Sequence, residues 1–362
     1  MTGTSDSKNK TRTGINRRTL IKGGTAASAA VLAAPFVSHK ARAKSKTLYI
    51  NTWGGSWGKA EAKAYYVPFE KATGITVKPV TPFSLAKLKA QVRTGNYQFS
   101  VAGMGRSSSI SALKENLLEH IHYDVIDLTQ LPSDSIAYNG IARHLVSTNL
   151  VYQKKKFPNG GPQSWADFWD VKKFPGTRGG YKDGARMCAF ALLADGVPKE
   201  KLYPLDVDRA FRSLDRIKPH IKIWWRRGSQ SVQLVRDGEV DMMPMWNTRA
   251  GVAVEQGVPI EVVWNQAHVR RSNWIVPRAA PNAREGWQFA KFCLQPENLG
   301  NFCRMMNTGP WIPAAFKYIP EKKAKMMPTW KENVSLGYQP DPLWVGMNMS
   351  QLTKRFNQWL VS

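Results

Sequence analysis

The sequence predicts an α/β chain whose main part folds as two lobes joined by a hinge. Setting aside an N-terminal targeting segment leaves 319 of the 362 residues, more than the roughly 250–300 at which one hydrophobic core stops growing and chains divide. Strand–helix–strand patterns recur from Thr47 onward, which is the signature of a largely parallel sheet. The chain leaves the first such region near Asn149-Leu150-Val151 and returns near Trp274. Two crossings between lobes make a hinge.

The elements follow in order. Arg17-Arg18-Thr19-Leu20-Ile21-Lys22 precedes an apolar run from Gly23 to Val37 that ends near Ala41-Arg42-Ala43, the layout of a twin-arginine export signal with its cleavage site. The run is too short and too rich in Ala and Gly for a membrane span, which needs roughly 20 apolar residues. Thr47 to Thr52 reads as a buried strand, Trp53-Gly54-Gly55-Ser56-Trp57-Gly58 as a glycine-rich loop, and Ala60 to Thr73 as a helix stopped by Gly74. Gly74 to Val80 is the next strand, Ser84 to Thr94 a helix and Phe99 to Ala102 a third strand. Tyr152 to Ala267 carries its own set, including a helix from Asp206 to Ile217 and a strand over Val240 to Met245. The expected division is 1–43 signal peptide, 44–150 plus 272–318 lobe I, and 151–271 plus 319–362 lobe II with the C-terminal helices.

Composition narrows the function classes. The net charge is +26, and because the first 43 residues hold eight Lys/Arg against one Asp, the rest keeps +19. Those charges are spread along the chain without a zinc-finger, recognition-helix or RNP pattern, so they read as a solvated basic surface rather than a nucleic-acid site. Three cysteines, Cys188, Cys293 and Cys303, are too few and too irregular for a disulfide framework or zinc site. Buried thiols are the default, with a Cys293–Cys303 bridge as the alternative. The six histidines form no triad or nucleophile elbow with a serine or cysteine. His120, His122 and Asp124 offer a weak metal pattern against the blander reading of a solvated loop, and Gly103-Met104-Gly105 lacks the third glycine of a dinucleotide loop. No cofactor is required, and an enzyme is not expected.

Five ordered blocks resemble the polyamine-type extracellular solute-binding family. They are Asn51-Thr52-Trp53-Gly54-Gly55; Ser164 to Asp170 with Phe174-Pro175-Gly176; Leu234 to Asp241 with Trp246-Asn247; Trp274-Ile275-Val276-Pro277 with Ala280-Pro281-Asn282; and Thr308-Gly309-Pro310. The resemblance implies a two-lobed periplasmic-binding-protein fold with a hinge and an inter-lobe ligand cleft. It further implies a periplasmic monomer that captures a small molecule, performs no chemistry on it and delivers it to an ABC transporter permease in the inner membrane.

In open α/β sheets ligands bind at the carboxyl ends of strands. That selects Trp53, Gly54 and Gly55; the expected loop Gly103 to Ser107 with Met104, Gly105 and Arg106; Asp183 and Arg186; Trp246 and Asn247; and Arg270, Arg271 and Ser272. Trp53 and Trp246 are the candidate aromatic walls, each with the alternative of being simple core. The arginines break the polyamine pattern, because a desolvated guanidinium repels a cation. Its planar fork suits carboxylate or phosphate, so Arg106, Arg186, Arg270 and Arg271 point to an anionic or zwitterionic ligand rather than spermidine or putrescine. Strand alternation forbids Arg270 and Arg271 from both facing it.

Overall fold

The computed structural model describes residues 46–362 except 128, 130 and 133. The segment expected to be the export signal lies outside the described residues. Nine strands form one continuous sheet: β1 (Thr47–Asn51), β2 (Thr76–Val80), β3 (Val101–Gly105), β4 (Gly140–Gln153), β5 (Arg178–Tyr181), β6 (Ile221–Trp225), β7 (Met242–Trp246), β8 (Ile260–Ile275) and β9 (Gly309–Pro310). Their order is β2-β1-β3-β8-β4-β7-β5-β6, with β9 on β4. At one end β1 lies parallel to β2 and β3, and at the other β5 lies parallel to β6 and β7. Parallel neighbours need crossover connections, and helices supply them: Leu85–Thr94 joins β2 to β3, and Gly228–Arg236 joins β6 to β7.

Between these parallel groups run β4 and β8, antiparallel to each other over most of their length. The first part of β4 and the last part of β8 pair beside β3, whereas Thr148–Tyr152 pairs with β7. Register shifts interrupt the β4–β8 ladder between Ala142 and Leu145 and between Thr148 and Leu150. Bulges of this kind bend a strand and raise its local twist. The returning strand thus starts at Ile260, well before Trp274, and carries Arg270 to Ser272 inside the ladder.

Each half of the sheet has its own core. Leu48, Ile50, Tyr65, Phe69, Trp287 and Phe302 fill one, while Trp165, Phe168, Phe190, Leu214, Trp225 and Met245 fill the other. Ile319, Ala324 and Met327 pack in the first core, and Leu352, Phe356 and Trp359 of the C-terminal helix (Pro342–Val361) in the second. That helix also lies against the helix Arg106–Lys114, so closely that a Cβ on Gly346 would sit 2.7 Å from the Ser107 carbonyl oxygen. Cys188, Cys293 and Cys303 are free and buried.

Local chemistry sets the element ends. Ser84 and Asp206 cap their helices by accepting the N–H of Lys87 and Arg209, and Gly74 ends a helix at φ 71°, as side-chain caps and left-handed glycine ends do. Two expected loops are replaced. A helix starts at Gly55, with a wider π turn over Ala62–Tyr66, and β3 runs straight into the helix Arg106–Lys114, so Gly103 to Ser107 is a strand–helix junction. Gly103 is required there: a Cβ would lie 2.1 Å from Arg143 Nη1. Arg143 is buried in an ion pair with Glu61, which also accepts from Thr52 Oγ1, Trp57 Nε1 and Tyr66 Oη. A buried pair survives desolvation only when its remaining hydrogen-bonding capacity is used, and this network uses that of the carboxylate. Asp124, of the weak metal pattern, pairs with Arg284, and among the described residues no group of three or more His, Cys, Asp or Glu is placed to hold a metal.

Candidate functional site

A cavity of about 370 Å³ opens where the β3 junction faces the end of β5, a size suited to a small ligand. Gly105, Arg106, Asp183, Arg186, Arg270 and Arg271, all singled out from sequence, lie in its wall. Two helices begin there. Gly105 is the N-cap of Arg106–Lys114, and Asp183 caps Gly184–Ala194 by accepting the Arg186 N–H at 3.0 Å. First-turn N–H groups have no partner within their own helix and carry the positive end of its dipole, so both walls favour negative charge.

The arginines differ in their engagement. Arg186 is 5% exposed, its Nη1 is 3.3 Å from Asp183 Oδ2, and its guanidinium lies 4.9 Å from the centre of the Tyr181 ring. Its Nε and Nη1 have no hydrogen-bond acceptor. Burial pulls its pKa down, but Asp183 and Tyr181 outweigh that and hold it above the ordinary value. Arg270 is pulled down to about 10, by burial first and by the charge of Arg186 second, and so remains cationic at neutral pH. Arg106 Nη2 donates to the Asp134 carbonyl at 2.9 Å, and burial, then Arg271, lower its pKa. Arg271 forms an ion pair with the Asp134 carboxylate and packs 4.4 Å over Trp311. Adjacent positions of a strand point to opposite faces, which is why the two neighbouring guanidiniums have different partners. His268 is buried beside them, and burial, followed by Arg186 and Arg270, pushes its pKa well below 6.5.

The other selected residues do not line this cavity. Trp53 is 56% exposed and packs against Phe83 with ring centroids 4.6 Å apart, while Gly54 and Gly55 take left-handed φ values of 75° and 57° at the start of their helix. Met104 points into a core with Phe99 and Leu118, and its carbonyl accepts the Ser272 hydroxyl at 3.1 Å. Trp246 packs edge-on to Tyr181 and Trp225 at 5.7 and 5.5 Å, behind the ring that carries Arg186. Asn247 is buried, with its amide bonded to backbone at both ends. Sequence reading missed the C-terminal helix, whose Val345, Met349 and Phe356 form an apolar wall, with Thr353 and Asn357 beside them. Their helical spacing was the available signal, but a core face has the same spacing.

This fold and cavity are those of a protein that holds a small solute, and the chain belongs to the bacterial extracellular solute-binding protein family, whose model matches residues 64–334. It is similar to the gamma-aminobutyric acid-binding protein of Pseudomonas aeruginosa, with 32% identity over 88% of this chain and 92% of that one. The structure of an ABC transporter substrate-binding protein from Bradyrhizobium japonicum USDA 110 matches with a TM-score of 0.82 at 31% identity, over 87% of this chain and 99% of that chain. A periplasmic binding protein from A. tumefaciens R10 in complex with agropinic acid matches with a TM-score of 0.77 at 31% identity, over 88% and 99% of the two chains. The spermidine/putrescine-binding periplasmic protein of Escherichia coli is more distant, 23% identical over 70% of this chain and 74% of that one. The fold is thus the two-lobed periplasmic-binding-protein fold, and the chain is a substrate-binding component of an ABC transporter.

Proposed function

We propose that this protein captures a small anionic or zwitterionic solute between its two halves, in the periplasm, and hands it to an inner-membrane ABC permease. The observation that carries the ligand class is the pairing of Arg186, at the start of the Gly184–Ala194 helix, with Arg270 of β8, in a cavity whose only lining carboxylate among the described residues is Asp183. A cationic polyamine would meet several guanidiniums and one occupied carboxylate there, whereas an acidic group meets donors shaped to grip it in two hydrogen bonds. The two relatives named for gamma-aminobutyric acid and agropinic acid support the same class.

Arg106, Arg186 and Arg270 are read as the ligand grip, with Asp183 as the residue that orients Arg186. The half of the sheet holding β1 to β3, with Ile319, Ala324 and Met327 packed in its core, and the half holding β5 to β7, with the C-terminal helix, act as lobes, and the register shifts in β4 and β8 mark where they flex; hinge closure of this kind commits a solute to its carrier. Arginines exchange no proton at neutral pH, and His268 is held neutral, which supports binding without turnover. Among the described residues no helix is long and apolar enough to cross a membrane, and the twin-arginine segment at residues 1–43 supplies the export route. Calorimetry with spermidine, putrescine and a panel of small anions and zwitterions tests the reading. Polyamine binding at micromolar or tighter affinity, with no response to any acidic compound, overturns it.

A further inference from the structure

Resting on the acidic-ligand reading above, we infer that the solute carries two acidic groups separated by a short apolar spacer, a dicarboxylate rather than a monocarboxylate zwitterion. The observation is a charge census of the cavity. Arg106, Lys182, Arg186, Arg270 and Arg271 line it against Asp183 alone. Asp183 is committed twice, to the Arg186 N–H and to its guanidinium, and Asp134, just outside the wall, is shared by the Arg271 guanidinium and, through its carbonyl, by Arg106. Counting both carboxylates, the site holds three more cations than anions. Among the described residues, the buried Arg186 leaves its Nε without a hydrogen-bond acceptor, and Arg270 lies in the same wall beside the charge of Arg186.

A zwitterion such as γ-aminobutyrate would neutralise one arginine with its carboxylate and then place its ammonium among the remaining cations. No free carboxylate lies in the wall to receive that ammonium. A second acidic group has a place: one carboxylate reaches Arg186 and Arg270 at the start of the Gly184–Ala194 helix, and the other reaches Arg106 at the start of Arg106–Lys114. Two helix N-termini on facing walls suit two anionic ends. The stretch between them is bordered by Val345, Met349 and Phe356, an apolar strip that suits methylenes and offers an ammonium no partner. Burying uncompensated guanidiniums is costly, and a dianion removes more of that cost on closure than a monoanion does.

Calorimetry on the signal-free protein with succinate, glutarate, adipate, monomethyl glutarate, butyrate, γ-aminobutyrate and putrescine decides the matter. At least one dicarboxylate should bind tenfold or more tightly than both γ-aminobutyrate and monomethyl glutarate. Arg106→Gln should erase that preference, bringing the dicarboxylate to within threefold of monomethyl glutarate. Should γ-aminobutyrate bind more tightly than every dicarboxylate, or should no dicarboxylate bind at millimolar concentration, the two-acid inference fails while the broader acidic or zwitterionic reading stands. Binding of putrescine alone overturns both.

Discussion

The Ser147 backbone N–H donates to Asn247 Oδ1 at 2.8 Å, fastening the middle of β4 to the start of the helix Asn247–Glu255. The other end of the same amide donates to the Asn307 carbonyl at 2.7 Å, so one buried side chain ties together three segments close to the register shift at Thr148. Asn247→Ala leaves a buried N–H and a buried carbonyl without partners, at about 1–3 kcal/mol each. A loss of about 2–4 kcal/mol in denaturant unfolding is expected, with solute affinity altered less than threefold. A variant of native stability that binds poorly would instead make Asn247 a ligand contact.

Arg270 and Arg271 are neighbours with opposite duties. Arg271 already has Asp134 and the face of Trp311, whereas Arg270 has no such partner among the described residues and stands beside Arg186. Arg270→Ala should weaken solute binding by at least tenfold, about 1.4 kcal/mol or more, within the range seen when one partner of a buried charge contact is removed. Arg271→Ala should weaken binding less than threefold and lower stability slightly by freeing Asp134. Titration calorimetry of the two variants side by side checks this, and equal losses would contradict it.

What the sequence disclosed was local. Ser84, Gly74 and Asp206 were readable as helix boundaries because a cap acts within one turn of its own residue. Arg106, Asp183 and Arg186 stand just beyond strand ends, as the sequence order implied, whereas Arg270 reaches the same cavity wall from inside β8. The long reach of β8 was hidden, since Asn265-Gln266-Ala267-His268 shows no apolar alternation, yet His268 is buried and paired in register with Thr148. Asn247 belonged to a motif that resembled a ligand loop, but its burial depends on Ser147 and Asn307, distant in sequence. Val345 and Phe356 have the spacing of a core face, and Phe356 serves both as core and as cavity wall.

Two buried histidines should make the protein sensitive to mild acid. His144 and His268 are each 3% exposed, and burial, with arginine charges second, holds both pKa values well below 6.5. Below pH 6.5 the unfolded chain therefore takes up protons that the native chain refuses, so stability is full above that pH and falls as the pH drops. The slope is up to about 1.4 kcal/mol per pH unit for each histidine. Unfolding midpoints at pH 8, 6.5 and 5 should decline across the lower interval, and His144→Gln or His268→Gln should flatten the decline. A wild-type profile that is level from pH 8 to pH 5 would rule the mechanism out.

Solute binding should be visible in the tryptophans. Arg186 lies on the Tyr181 ring, Tyr181 meets Trp246 edge-on at 5.7 Å, and Trp246 meets Trp225 at 5.5 Å, so a ligand that repositions Arg186 disturbs an aromatic row. Trp53 reports differently: it is 56% exposed on Phe83, and closure of the halves about β4 and β8 would cover it and shift its emission to the blue. Ligand should therefore change intrinsic fluorescence, Trp246→Phe and Trp53→Phe should each remove a separable part of that change, and the radius of gyration in solution scattering should decrease. A solute whose binding is proven by calorimetry, yet which leaves both emission and scattering unchanged, would show that the site fills without hinge motion.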